Sequence, residues 1–555
     1  MTDFKGHGGK SLVHALAAHG TTRVFSVAGE SYLPALDAML DFPDIQLITC
    51  RQESGATFMA EAHGALSGQP GIAFVTRGPG ACNASIGVHS AMQASTPMIL
   101  FIGLIGTSER DKEAFQEFDV PQMFGSLSKW AAVIDQPDRI GEYVARAYHI
   151  ATSGRPGPVV LGLPEEILTP NLDYRSPPII PSSEIAPASS GIQKVIDTLS
   201  GAARPLILVG GSLWSDQACD DIETFSSASH IPVVTSFRRQ DVFNHNHGDY
   251  IGELGTGPNP ELVERVQNAD VVLVVNARIN EITTQTYALF QQDEQTIIHV
   301  HPDAAEFGKA CLPDVTVQSH VAPFCAALAA HAYGLDGRGW AAWRDEGRVE
   351  YLAWSDPSKN LMARNGADVT AIFQHLQNVL PDDAIVTTDA GNFSGWAQRY
   401  LKYGRPGRLL APVSGAMGYA IPSAVAASMQ HPDRIVVGMC GDGGCLMTSQ
   451  EFATAMHHNK QTGCKPIIMV FNNDVYGTIR MHQNRDFLGR EHHEKQGGTA
   501  LTNPDFAALA QSYGALGLRV NHEDEFPAIW DEAIASDLPV LIEVKMDPAQ
   551  STTRS

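Results

Sequence analysis

The 555-residue chain has no C-x-x-C pair among its eight cysteines, no apolar stretch long enough to cross a bilayer and no short-period repeat. Scattered cysteines argue against a disulfide framework or a thiolate metal site. They read as small apolar side chains in a reducing compartment. Without a run of about 20 apolar residues there is no spanning helix, and residues 1–6 carry no apolar signal core. A cytoplasmic protein without a membrane partner is expected. Positive charge is also scarce, with 38 Lys and Arg against 61 Asp and Glu and a formal net charge of -23. That balance excludes an electrostatic grip on nucleic acid or anionic lipid. It leaves room for a phosphorylated small molecule, which backbone amides and a divalent cation can hold locally.

What is present is globular: 44% hydrophobic and 18% charged residues, in a chain too long for one core. Fifty glycines and 33 prolines fit many tight connections. Short apolar runs alternate with helix-length segments, the pattern of parallel sheets covered on both faces. Strands are expected at residues 23–27, 45–49, 71–76 and 98–103. A second series covers 205–209, 271–275 and 296–300, and a third opens at 384–388. A Pro- and Ser-rich linker is expected over 169–190, and a polar stretch over 336–359 separates the second and third series. The expectation is α/β, three doubly wound parallel-sheet domains, over residues 1–170, 190–335 and 360–550.

The densest chemistry lies in residues 441–473. Gly441-Asp442-Gly443-Gly444 follows the apolar run Ile435-Val436-Val437-Gly438-Met439-Cys440, and Asn472-Asn473 follows Pro466-Ile467-Ile468-Met469-Val470-Phe471. Two strands joined by a helix-length segment form a crossover that brings both polar clusters to one sheet edge. Glycines there let backbone N–H groups approach a phosphate, and Asp and Asn oxygens suit a hard divalent cation. In the first series, Glu53 stands between a strand and a helix, where the helix dipole favours a carboxylate.

These features resemble the thiamine-diphosphate enzymes. Val27-Ala28-Gly29-Glu30, Arg51-Gln52-Glu53, Arg77-Gly78-Pro79-Gly80-Ala81-Cys82-Asn83, Ala114-Phe115-Gln116-Glu117 and Ser153-Gly154-Arg155-Pro156-Gly157-Pro158-Val159 occur in that order. All are similar to the pyrimidine-binding domain of acetolactate synthase catalytic subunits and their relatives. Gly415-Ala416-Met417-Gly418 and the 441–473 motif continue the match, which covers nearly the whole chain. The resemblance implies that Glu53 hydrogen-bonds the cofactor's pyrimidine ring and favours the tautomer that removes the thiazolium C2 proton. Met417 would bend the cofactor, and the Gly415 carbonyl would accept from its amino group. Asp442, Asn473 and the Val475 carbonyl would bind Mg²⁺. Gly391, Asn392, Phe393, Gly443 and Gly444 would hold the diphosphate, and Tyr476 and Gly477 would also contact the cofactor. Phe115 and Gln116 would face the reacting molecule. In the family the two half-sites meet across a subunit interface, which implies a homodimer or homotetramer.

The chain also departs from the family. Gln52 stands where His is usual, and no His-His pair stands near Phe115, unlike the pyruvate-decarboxylase branch. Glu30 replaces a small residue and becomes a candidate reactant contact. The flavin-contacting segments are not recognisable in Gly252-Glu253-Leu254-Gly255 or Asn276-Ala277-Arg278-Ile279-Asn280, so FAD is not expected, though not excluded. His482 falls near the place of a tryptophan that helps synthases choose their second substrate. Adjacent His457-His458 and His492-His493 read as solvated, since neighbours in sequence rarely converge on one ion. Residues 485–499 read as a lid or a surface loop. The resemblance implies a carboligase or decarboxylase of small 2-oxo acids, acetolactate synthase-like. The alternatives are a 2-hydroxyacyl or benzoin-type lyase and a flavin-dependent, pyruvate-oxidase-like enzyme.

Overall fold

The computed structural model describes residues 3–175, 179–181, 183–291, 293–335, 339–362, 365–487 and 497–553. Three six-stranded sheets carry the chain, and every pairing within them is parallel. Parallel sheets are covered on both faces, so their strands are apolar without alternation. Met98–Leu104, Pro158–Pro164 and Val271–Val275 are accordingly buried at every position. Among the described residues no helix is long and apolar enough to cross a membrane.

The first sheet runs Gln46–Thr49, Arg23–Ser26, Gly71–Val75, Met98–Leu104, Pro158–Pro164, Trp130–Val133 across its width. The third runs Leu409–Leu410, Ile385–Thr388, Val436–Gly441, Ile467–Asn472, Val540–Lys545, Leu516–Val520. Numbered within each sheet, both have the order 2-1-3-4-6-5. The central sheet, from Tyr250–Leu254 through Val233–Ser236, Pro205–Val209, Val271–Val275 and Thr296–His301 to Val315–Gln318, has the order 3-2-1-4-5-6. In open sheets of this kind ligands bind beyond the strands' carboxyl ends, where the order reverses. The reversal falls between Arg23–Ser26 and Gly71–Val75 in the first sheet, and between Ile385–Thr388 and Val436–Gly441 in the third.

The first and third layers share one apolar core. Helix Glu53–Ser67 packs on helix Ala420–Gln430, with Phe58 edge-on to Tyr419 at a centroid distance of 5.4 Å. Such a ring pair adds about 1 kcal/mol beyond its buried area.

Two connecting segments differ from expectation. The 169–190 linker contains a strand, Asn171–Arg175, which pairs antiparallel with Asp3–His7 and ties the chain's start to the end of the first layer. The polar 336–359 stretch contains helix Ala341–Trp354, docked on the central layer through buried Tyr351 and an Arg265–Glu350 ion pair. Much of its charge faces that layer: Arg344 pairs with buried Asp249, and Arg348 donates to the Tyr250 carbonyl at 2.9 Å. Pro177, Pro178, His492, His493 and most of the 485–499 segment lie outside the described residues.

Candidate functional site

At the first sheet, strand Gln46–Thr49 leads to Gln52, whose extended backbone makes it the N-cap of helix Glu53–Ser67. Its Oε1 accepts from the N–H groups of Ser54 (2.6 Å) and Gly55 (3.4 Å). Capping satisfies helix-end donors that would otherwise be orphaned. Glu53 takes the first helical position, half-buried, and its Oε2 accepts from Asn83 Nδ2 at 2.9 Å. The turn is anchored from the third layer: buried Glu451 accepts from the backbone N–H of Gln52 (3.0 Å) and Arg51 (3.3 Å). Burial pushes the Glu451 carboxyl above its usual range. Gly55 is required here, because a Cβ would lie 2.6 Å from Glu451 Cδ.

Glu30 opens a short turn after the switch-point strand and is exposed. Ser31 Oγ and Thr76 Oγ1, 2.8 Å apart, hold that turn against the neighbouring strand end. Phe115 is 78% exposed. Gln116 has a φ of +66°, and its carbonyl accepts from Gly78 N–H at 3.1 Å. Glu117 braces the loop by accepting from Asp111 (2.6 Å) and Ala114 (2.9 Å) N–H groups, which lower its pKa. The first sheet's edge therefore brings Glu30, Glu53, Phe115 and Gln116 to one side.

The third sheet gathers the remaining candidates. Asp442 begins helix Asp442–Thr448 and is buried, with Oδ1 accepting from Gly443 N–H (2.9 Å) and Oδ2 from Asn503 Nδ2 (2.7 Å). Burial raises its pKa, and the nearby Asp474 charge adds to the shift. Strand Ile467–Asn472 lies beside Val436–Gly441 and delivers two successive Asx turns. Asn472 Oδ1 accepts from Asp474 N–H and Asn473 Oδ1 from Val475 N–H, both at 3.2 Å. The Val475–Gly477 loop is fastened by Tyr476 N–H to Thr499 O (2.9 Å). Tyr476 covers Gly443, where a Cβ would lie 2.5 Å from its ring.

Asn503 was not among the candidates. Its Nδ2 contacts Asp442 Oδ2, Asn472 Oδ1 (3.1 Å) and Asp474 Oδ1 (2.9 Å), while its own Oδ1 is buried without a partner. An amide has two N–H groups for these three acceptors. Carboxylate and amide oxygens crowd the edge around Asp442, with the Asn503 Oδ1 buried and unsatisfied, and oxygens of this kind suit a hard divalent cation such as Mg²⁺. Only the polar Thr502-Asn503-Pro504-Asp505 turn marks the residue in sequence, and nothing in its spacing ties it to Asp442.

Over the same edge, Asp389 holds the 412–418 loop by accepting from Gly418 N–H (2.8 Å) and Ala420 N–H (2.6 Å). Burial lifts its pKa to about 6. Gly415 and Gly418 have φ values of +73° and +80°, a left-handed geometry that glycine adopts without penalty. Half-buried Met417 sits between them. Asn392 Oδ1 accepts from Thr478 Oγ1 (2.9 Å), which joins the 391–393 turn to helix Gly477–Asp486. Phe393 contributes backbone only, since its ring stacks on Phe471 in the core. Gly391, Asn392, Gly415 and His482 line a cavity of about 940 Å³ between the third and central layers.

His458 is not solvated as expected. It is buried, and its Nε2 accepts from Thr49 N–H at 3.0 Å, which bridges the first and third layers. Among the described residues no three His, Cys, Asp or Glu side chains form a metal cluster.

Comparison with known proteins finds three family models along the chain. The "Thiamine pyrophosphate enzyme, N-terminal TPP binding domain" matches residues 6–123, its central domain matches 192–328, and its "C-terminal TPP binding domain" matches 389–544. A probable acetolactate synthase large subunit of Methanocaldococcus jannaschii is 29% identical, covering 98% of this chain and 92% of the relative. The acetolactate synthase isozyme 2 large subunit of Escherichia coli is 28% identical over 98% and 96%. The mitochondrial acetolactate synthase catalytic subunit of Saccharomyces cerevisiae is 28% identical over 97% and 80%.

Proposed function

The chain belongs to the thiamine pyrophosphate enzymes, and from that premise we propose that it is a Mg²⁺-dependent carboligase and decarboxylase of small 2-oxo acids, acetolactate synthase-like. When bound, thiamine diphosphate supplies a nucleophilic carbon that adds to the 2-oxo carbonyl and takes up the electron pair left by CO₂. In this reading Asp442, Asn473 and the Val475 carbonyl hold the cation, with Asn503 orienting the Asp442 carboxylate. Gly443, Gly444 and the 391–393 turn hold the diphosphate. Glu53, kept in place by Asn83, holds the proton shared with the pyrimidine ring.

The observation that carries the choice of reaction is the Phe115–Gln116 corner. It presents an exposed aromatic ring on the edge that bears Glu53, fixed by Gln116 O and Gly78 N–H, with no histidine on the loop. With cofactor and substrate bound, the Phe115 ring would offer an apolar wall that keeps water away and favours an acceptor carbonyl. Flavin plays no part in the proposal. The family resemblance, in which the two half-sites meet across a subunit interface, supports a homodimer or homotetramer that completes each site. Proton NMR of products from pure protein with thiamine diphosphate, Mg²⁺ and pyruvate tests the proposal. Acetolactate is the expected product. Untouched pyruvate with cofactor bound refutes the donor, and a bound-flavin absorption band refutes the flavin-free reading.

A further inference from the structure

The inner wall of the 940 Å³ cavity carries a charged residue that the chemistry above leaves unused. Arg238 follows the central strand Val233–Ser236 with a φ of +57°, a conformation that costs a long L side chain free energy. Its side chain is buried and lies against the Phe237 ring, 4.9 Å from the centroid. One terminal nitrogen donates to the Pro412 carbonyl and the other to the Asp389 carbonyl at 3.3 Å, and Nε has no partner. Burial lowers its pKa to about 10.

Those two carbonyls begin the two loops at the third sheet's edge. Asp389 leads into Gly391-Asn392-Phe393, and Pro412 into Gly415-Ala416-Met417. The Pro412 carbonyl also accepts from Gly415 N–H at 2.8 Å. Behind Arg238, Glu253 accepts from its backbone N–H (3.3 Å) and from Gln240 Nε2 (3.1 Å), which fixes the turn that aims the guanidinium.

Simple adhesion between layers does not require this arrangement. Asp241, three residues on, already docks the same segment by accepting from Arg408 (3.1 Å) and Leu409 (3.2 Å) N–H groups. A buried cation without a bonded carboxylate is a poor adhesive, because desolvation opposes it. An arginine adds a planar fork that fixes two acceptors at a set spacing.

We propose that Arg238 is a positioning residue for the cofactor site, through which the central sheet sets the 391–393 turn against the Met417 loop. The proposal rests on the assignment of these two loops to thiamine diphosphate. Calorimetric titration of the apoprotein with thiamine diphosphate at saturating Mg²⁺ tests it, with Arg238→Met, Arg238→Lys and Asp241→Ala beside the parent. Arg238→Met is expected to weaken cofactor binding at least tenfold. At saturating cofactor it should also lower kcat while leaving the substrate KM unchanged. Arg238→Lys, which keeps the charge but loses the fork, should fall between parent and Arg238→Met. Asp241→Ala should lower the melting temperature with less than a threefold change in affinity. Equal losses in Arg238→Met and Asp241→Ala would reduce Arg238 to glue and overturn the proposal. So would parent-like affinity in Arg238→Met or, should that variant not fold, in Arg238→Lys. Failure of the parent itself to bind the cofactor is a separate outcome and overturns the loop assignment with it.

Discussion

A methyl group at Gly444 would meet the side chain from which the Met417 loop hangs. A Cβ there overlaps Asp389 Oδ2 and lies 3.3 Å from its Cγ, while Asp389 Oδ2 and Oδ1 accept from Gly418 and Ala420 N–H groups at 2.8 and 2.6 Å. Asp389 is buried and cannot swing into solvent, so Gly444→Ala must move the carboxylate and stretch both bonds. Leaving a buried donor unsatisfied costs about 1–3 kcal/mol, and bonds to a charged acceptor fall in the upper part of that range. Allowing for partial relaxation, about 3 kcal/mol is lost from the arrangement that presents Met417 and Gly415. If the cofactor must restore that arrangement on binding, its dissociation constant rises about 100-fold, at 1.4 kcal/mol per tenfold. Titration of apoprotein with thiamine diphosphate at pH 8, where Asp389 is ionised, measures this directly. The comparison is Gly191→Ala on the central layer, whose Cβ has its nearest contact at 3.7 Å, the Val317 side chain. A Gly444→Ala variant that binds within threefold of the parent would refute the role assigned to Asp389.

Glu53→Gln should bind thiamine diphosphate and lose turnover by 10²- to 10⁴-fold, the range of a general acid–base group; parent-like turnover with cofactor bound refutes the proton assignment. Asn503→Ala should weaken Mg²⁺ binding about 10- to 100-fold, as loss of a residue that orients a metal ligand does. Calorimetry of Mg²⁺ with thiamine diphosphate present checks it, and unchanged affinity removes Asn503 from the site. Asp389 also predicts a pH dependence. Its folded pKa is raised to about 6 from 3.8, so the folded state keeps a proton that the unfolded state releases. Its contribution to stability is therefore present below about pH 4 and lost as pH rises to about 6, by about 3 kcal/mol in all. Urea midpoints of the apoprotein at pH 4, 5 and 6 should show that decline, and it should flatten in Asp389→Asn.

The strands and their layering are legible because a parallel sheet imposes a local signal, a short run of apolar residues between glycines. Asp442 and Asn473 are legible as neighbours for the same reason, since the crossover between their strands is short. Residues held by contacts between distant segments leave no such trace. Asp3–His7 and Asn171–Arg175 are mostly polar, and their pairing spans the whole first layer. Glu451 braces the turn before Glu53 from the third layer, and His458 reaches Thr49 from the same helix, Glu451–Thr462. In sequence that helix looks polar and solvated. Asn503 and Arg238 are missed for a related reason: each acts on another element's carboxylate or carbonyl, and neither partner can be recognised from spacing.

In the proposed reading each chain carries two half-sites, and the side-chain bonds of Glu53 and Asp442 each stay within one layer. Glu53 is bonded to Asn83 of the first layer, and Asp442 to Asn503 of the third. Apolar side chains stand exposed beside both: Ile86 (38%) and Phe115 (78%) near the first, Leu446 (42%) and Met447 (46%) on the helix that begins at Asp442. Exposed apolar groups flanking polar clusters on both halves suit a self-complementary interface, in which one chain's Glu53 edge faces its partner's Asp442 edge. Subunit mixing distinguishes this from a site closed within one chain. Glu53→Gln and Asp442→Ala proteins should each be inactive alone. After unfolding, equal mixing and refolding, half the dimers are hybrids, and each hybrid keeps one site with both parent residues. Activity should then return to about a quarter of the parent value. If both residues of a site came from the same chain, every chain in the mixture would still carry a broken site. No activity would return, and the shared interface would be refuted.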